Sequence, residues 1–160
     1  EVFASELSKN KSLRRAIYQK AECGMPVYAE CGGLMYLVDS IIDFKKTRFP
    51  MVGIFRCSVR MGDRLRRMGY VNLQVIKDNI LSKKGQRNRA HLFHWSRLTN
   101  IPKNSSFAYK IAKDKNNVFY DGLVRRNVLA GYAHIHFASD MEFAGNFIRS
   151  CGEFKRGHGR

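Results

Sequence analysis

Proline is scarce in this chain of 160 residues, with three in all, and tryptophan occurs once. No low-complexity linker and no internal repeat interrupts it, which excludes a fibrous or disordered chain and a pair of tethered units. Acidic residues are few: 13 Asp and Glu stand against 29 Lys and Arg, so the net charge is 29 − 13 = +16. Long apolar runs are also missing. The stretches 34–37 and 137–138 fall far short of the roughly 18 residues a membrane-crossing helix needs, and the opening EVFASELSKN is no signal peptide. A cytoplasmic protein with no membrane partner is expected. The four cysteines (Cys23, Cys31, Cys57 and Cys151) form no CxxC pair, so they read as reduced thiols in a domain that needs no disulfide staples. Neither a GxxxxGK[ST] loop nor a GxGxxG fingerprint occurs, so no ordinary ATP or dinucleotide site lies in this chain.

What is present suits one compact domain: 44% hydrophobic and 26% charged residues are ordinary globular usage. A charge of +16 favours anionic partners. The basic residues are scattered in short groups, among them Arg64 with Arg66 and Arg67, without an RNP, helix-turn-helix or zinc-finger signature. A solvated basic surface is therefore preferred to a nucleic-acid site.

Apolar spacing predicts an amphipathic helix over residues 4–21, closed near Gly24 and Pro26, then a short buried strand over 26–30 and a helix over 34–42. Residues 51–61 and 68–76 read as strands joined in a hairpin through Gly62, Asp63 and Arg64. Residues 77–88 read as an exposed excursion, and 89–95 and 107–112 as strands with a loop at 100–106. A strand over 128–137 leads to a helix over 140–151, with Ser139 as N-cap and Glu142 completing a capping box. A loose tail, 155–160, is expected to follow a domain of residues 1–154. The fold class expected is α/β, a three-layer sandwich around a mixed sheet.

The chemistry concentrates at Cys31. Ala29-Glu30-Cys31-Gly32-Gly33 puts a cysteine between strand and helix, with small residues two positions away on either side. That is the spacing of a nucleophile elbow, in which a strained turn lifts the nucleophile off the sheet. The first turn of the following helix should favour thiolate. The alternative is a buried structural cysteine beside a glycine turn. A base is needed, and period-two alternation places His134 and His136 on one face of the late strand. The same three side chains, Cys31, His134 and His136, also suit a zinc site with one position open. His91 and His94 should face opposite sides of their strand.

The segments at 28–37 (YAECGGLMYL), 51–53, 68–71, 91–96 and 134–139 (HIHFAS) resemble, in order and spacing, the glutaminase domains of the tetrapyrrole a,c-diamide synthases, those acting on cobyrinate and on nickel-sirohydrochlorin. These form part of the cobyric-acid-synthase-like branch of the class I glutamine amidotransferases. The resemblance implies that Cys31 attacks the glutamine amide to form a glutamyl thioester and that His134 is the base and then the acid. It places His136 where other class I members carry a triad glutamate, so a Cys–His dyad is implied, with Gly32 and Gly33 in support. No cofactor is implied for this chain. ATP and Mg2+ belong to a synthetase domain that amidates an acidic tetrapyrrole with the ammonia released. His91, His94, Arg64, Arg66 and Arg67 are candidates for substrate or docking contacts. Two departures are visible: Leu92 and Trp95 stand where the family's GHEFHYS block has Glu and Tyr, and Glu1-Val2-Phe3-Ala4 matches the middle of its GGYPExFA block. A domain beginning after its first strands and oxyanion glycines is the expectation, and a non-catalytic anion-binding module is the alternative.

Overall fold

The computed structural model describes residues 1–112 and 118–158. Two helices open the chain, α1 (Ala4–Lys9) and α2 (Lys11–Glu22). One continuous helix is expected there, but Asn10 divides it. Its side-chain oxygen takes the Leu13 N–H at 3.1 Å and caps the second helix, the local competition that makes Asn a capping residue. Strand β1 (Val27–Glu30) runs into α3 (Gly32–Leu37) and then β2 (Val38–Ile42). The helix read over 34–42 is thus cut short: Val38 turns extended at ψ 178°, and the β-branched Val38, Ile41 and Ile42 pack as a buried strand.

Among the described residues eight more strands follow: β3 (Arg48–Pro50), β4 (Phe55–Arg60), β5 (Arg67–Val75), β6 (Arg87–His94), β7 (Arg97–Thr99), β8 (Phe107–Ala112), β9 (Val118–Arg125) and β10 (Val128–Gly131). A 3-10 turn (Phe137–Ser139) leads into α4 (Met141–His158). Mixed pairing and the α/β class hold, but the strands form two sheets. Six strands lie in the order β1-β10-β9-β8-β5-β6 with β1 and β10 parallel, and four in the order β3-β2-β4-β7 with β2 and β4 parallel. β1 closes one edge of the larger sheet and is half-buried throughout, not the buried strand expected.

No hairpin joins β4 to β5, because the chain crosses between the sheets at the turn after β4. Gly62 permits that crossing, since a Cβ there would lie 2.7 Å from the Trp95 carbonyl oxygen. β5 instead pairs with β6 from Arg67↔His94 to Gln74↔Arg87. The excursion at 77–88 is not wholly exposed: Ile80, Leu81 and Ser82 are buried, and the Asn79 side chain takes the N–H groups of Leu81 and Ser82 at 2.9 and 3.2 Å. Asp140, not Ser139, caps α4 by accepting the Glu142 N–H at 3.0 Å, while the Ser139 hydroxyl donates to the His136 carbonyl at 2.6 Å. The helix continues to His158, so residues 155–158 are not a loose tail, and residues 159–160 lie outside the described residues. Leu34, Ile41, Leu73, Ile111, Leu129 and Phe143 are fully buried in the core, each such side chain contributing about 1.5–3 kcal/mol by leaving water. Among the described residues no helix is long and apolar enough to cross a membrane.

Candidate active site

The turn between β1 and α3 has the backbone of an elbow. Cys31 sits at φ 48°, ψ −102°, on the side of conformational space that a Cβ makes costly, by about 1–3 kcal/mol. Its N–H donates to the Gly131 carbonyl at 2.8 Å and carries the parallel β1–β10 register one step past Glu30↔Gly131. Gly33 must be small, since a Cβ there would come within 3.0 Å of the Ala29 Cβ, whereas Gly32 faces open space. Cys31 Sγ emerges beside β6, 3.9 Å from the Phe93 carbonyl oxygen.

The thiol's acidity corrects the sequence expectation. Burial raises the Cys31 pKa, the charges of Glu1 and then Glu30 push the same way, and the Gly32 N–H only partly opposes them. The one short helix behind the sulfur, α3, does not outweigh desolvation. At rest the group is therefore a thiol that needs a base.

The strand expected over 128–137 ends at Gly131. Instead of pairing with a neighbouring strand, the Tyr132 and Ala133 N–H groups donate to the buried Asp121 carboxylate at 3.0 and 2.8 Å. His134 then exchanges backbone hydrogen bonds with His91 at 2.9 and 3.0 Å. His134 and His136 consequently do not alternate along a strand, although both line one open cavity of about 420 Å³ beside Glu30, Tyr70, Arg89 and His91. His136 is exposed there and starts the 3-10 turn.

β6 holds the Cys31 sulfur and the His134 backbone along one edge. Cys31 Sγ meets Phe93 and His134 meets His91, and backbone groups two residues apart point to the same edge of a strand. A rise of about 3.3 Å per residue separates the two anchor points by roughly 7 Å. His134 Nδ1 lies 3.5 Å from Glu30 Oε2. The other carboxylate oxygen, Oε1, accepts the Ile135 N–H at 2.8 Å and the Tyr28 hydroxyl.

The remaining candidates separate. His91 is half-buried in the cavity, edge-on to Tyr70 with centroids 5.2 Å apart, and the Arg89 guanidinium lies 4.4 Å over the same ring. His94 faces the opposite side of β6, is buried, stacks on Tyr132 at 3.9 Å and donates Nδ1–H to the Ser96 carbonyl at 2.8 Å. Burial, followed by the charges of Arg67 and His134, depresses its pKa. His94 thus lies outside the cavity that His91, His134 and His136 line. Arg64 and Arg66 are exposed. Arg67 is not free to dock a partner: its guanidinium stacks 3.5 Å over Phe119 and is drawn toward Asp121. Among the described residues no three His, Cys, Asp or Glu side chains are grouped to hold a metal, so the zinc reading of Cys31, His134 and His136 lacks its ligand set.

Two residues escaped the sequence reading. Asp121, a lone acid in the apolar run Phe119 to Val124, could have been flagged as needing buried donors. Glu30 shares a face of β1 with Tyr28 by simple alternation, and that face meets the His134 loop: Tyr28 stacks on Phe137 at 5.6 Å.

The chain is 42% identical over 156 residues to a cobyrinate a,c-diamide synthase of Caldanaerobacter subterraneus, covering 98% of this chain and 34% of that protein. It is 44% identical over 154 residues to one of Dehalococcoides mccartyi, covering 93% and 33%. It therefore spans about a third of the length of these relatives. Among solved structures, PurLQS of Thermotoga maritima is similar in fold at TM-score 0.66 and 15% identity, covering 95% of this chain and 71% of that one. A glutamine amidotransferase is similar at TM-score 0.64 and 16% identity, covering 92% and 72%. The profile of the CobB/CobQ-like glutamine amidotransferase domain matches residues 1–142, and the chain belongs to that family.

Proposed function

We propose that this chain hydrolyses glutamine to glutamate and ammonia through a thioester on Cys31, with His134 as base and acid. The observation that carries the reading is the strained elbow at Cys31, whose sulfur leaves the turn on the same edge of β6 that anchors His134. In this reading the imidazole takes the thiol proton as sulfur attacks the amide carbon, the proton passes to the departing nitrogen, and the C–N bond breaks to release ammonia. Water then attacks the thioester, gives a proton to the imidazole, and glutamate leaves as the proton returns to sulfur. The Gly32 N–H beside the sulfur is one donor for the oxyanion, a contact worth about 3–4 kcal/mol in such sites.

In this reading the ammonia serves an ATP- and Mg2+-dependent amidation of tetrapyrrole carboxylates in the cytoplasm, as the family likeness implies; relatives three times as long carry the name cobyrinate a,c-diamide synthase. An acidic tetrapyrrole also suits a chain of charge +16. Exposed Arg64 and Arg66 are the docking candidates that stay available. A glutamine-like diazo-ketone followed by peptide mass spectrometry tests the reading. Label on Cys31, blocked by excess glutamine, is expected, whereas label confined to Cys23, Cys57 or Cys151 refutes it.

A further inference from the structure

We propose that Glu30, the residue immediately before Cys31, is the positioning carboxylate that fixes the His134 imidazole; this rests on the reading that Cys31 and His134 carry the reaction. The family likeness implies a dyad, because His136 occupies the place of the carboxylate two residues beyond the histidine, and His136 is exposed at the start of the 3-10 turn. The fold supplies a carboxylate to the same imidazole from β1. Glu30 ends β1, and its two oxygens divide their work between a backbone N–H and a ring.

Oε1 accepts the Ile135 N–H at 2.8 Å and the Tyr28 hydroxyl, which holds the backbone just after His134. Oε2 faces His134 Nδ1 at 3.5 Å, with side-chain exposures of 27% for Glu30 and 42% for His134. The bridge to His91 holds the other side of the same residue. A carboxylate has acceptors only, so the ring presents Nδ1–H to it and keeps its lone pair on Nε2, the nitrogen that must take the sulfur's proton. Shortening of the contact by about 0.5 Å as substrate binds would bring it to hydrogen-bond length. The same charge disfavours a lone thiolate at Cys31. Proton transfer is thereby tied to attack on substrate.

Glu30→Gln separates this role from mere support of the loop. Ile135 N–H and Tyr28 O–H are both donors, so they retain the amide oxygen, and the NH2 group must then face His134 Nδ1. That inverts the tautomer and places a proton on Nε2. Wild type, Glu30→Gln and Glu30→Asp are compared by 15N NMR of the histidine ring and by glutamine hydrolysis. The expected results are an Nδ1–H tautomer of neutral His134 in wild type and an Nε2–H tautomer in Glu30→Gln. A fall in kcat of about a hundredfold or more, as tautomer errors cost in comparable triads, should accompany it, with KM changed less than about threefold. Glu30→Asp should recover part of the loss. Alkylation of Cys31 by iodoacetamide should be as fast or faster in Glu30→Gln, since a charge opposing thiolate is gone. An Nε2–H tautomer in the wild type, or a Glu30→Gln kcat within twofold of it, overturns the proposal. Because the ring spectrum reports without turnover, absence of diazo-ketone label on wild-type Cys31 would refute the glutaminase reading separately.

Discussion

Strain at Cys31 gives a prediction with a sign opposite to the usual one. Replacing an ordinary residue by glycine destabilises a protein, but here φ 48° and ψ −102° make a Cβ costly by about 1–3 kcal/mol. Cys31→Ala keeps the Cβ and removes the sulfur, and Cys31→Gly removes both, so their difference isolates the strain. Against the relief stands the extra freedom of glycine in the unfolded chain, about 0.4–1 kcal/mol. Cys31→Gly should therefore be more stable than Cys31→Ala by about 1–2 kcal/mol, which for a chain of this size raises Tm by roughly 2–8 °C. Urea unfolding followed through the fluorescence of the single tryptophan, Trp95, measures it. A Cys31→Gly protein less stable than Cys31→Ala would refute the claim that the elbow stores strain.

Other consequences follow from the groups that hold the histidine loop. Asp121→Asn keeps one acceptor but turns an NH2 toward one of the two N–H groups now bound at 3.0 and 2.8 Å; relief of the carboxylate's desolvation offsets part of this. A net loss of about 1–3 kcal/mol is expected, with a fall in kcat larger than any rise in KM, whereas unchanged stability and kcat would show that the loop does not depend on Asp121. His94, whose folded pKa is depressed first by burial, binds fewer protons in the folded than in the unfolded state around pH 6. Its contribution is complete above the ordinary value of about 6.5 and is lost as pH falls through the lower folded value. Between pH 7 and 5 the Tm of wild type should fall more steeply than that of His94→Gln, and parallel curves would contradict the assignment.

The sequence made the site legible where a local rule dictates structure. Ala29 and Gly33 flank Cys31 because the elbow leaves no room, and the 3.0 Å approach of a Cβ at 33 to Ala29 is that rule in coordinates. β8 falls at 107–112 as the sequence predicts. What failed depended on distant partners. The run after Gly131 is apolar enough for a strand, but Asp121 captures its N–H groups and stops the ladder. β4 and β5 look like a hairpin until a carbonyl from Trp95 fixes the crossing at Gly62. β9 was not anticipated, and neither was the carboxylate of Glu30, whose partners lie 105 residues away at Ile135 and one residue nearer at His134. The thiol's acidity was misjudged because a helix terminus is a sequence-level signal while desolvation is not.

The most direct test of the account is to mix the protein with glutamine, quench with acid within one turnover and map any covalent adduct. A glutamyl group on Cys31, absent in Cys31→Ala and slow to form in His134→Ala, is the result predicted. Glutamine hydrolysis that survives in Cys31→Ala, or an adduct on another residue, would contradict it.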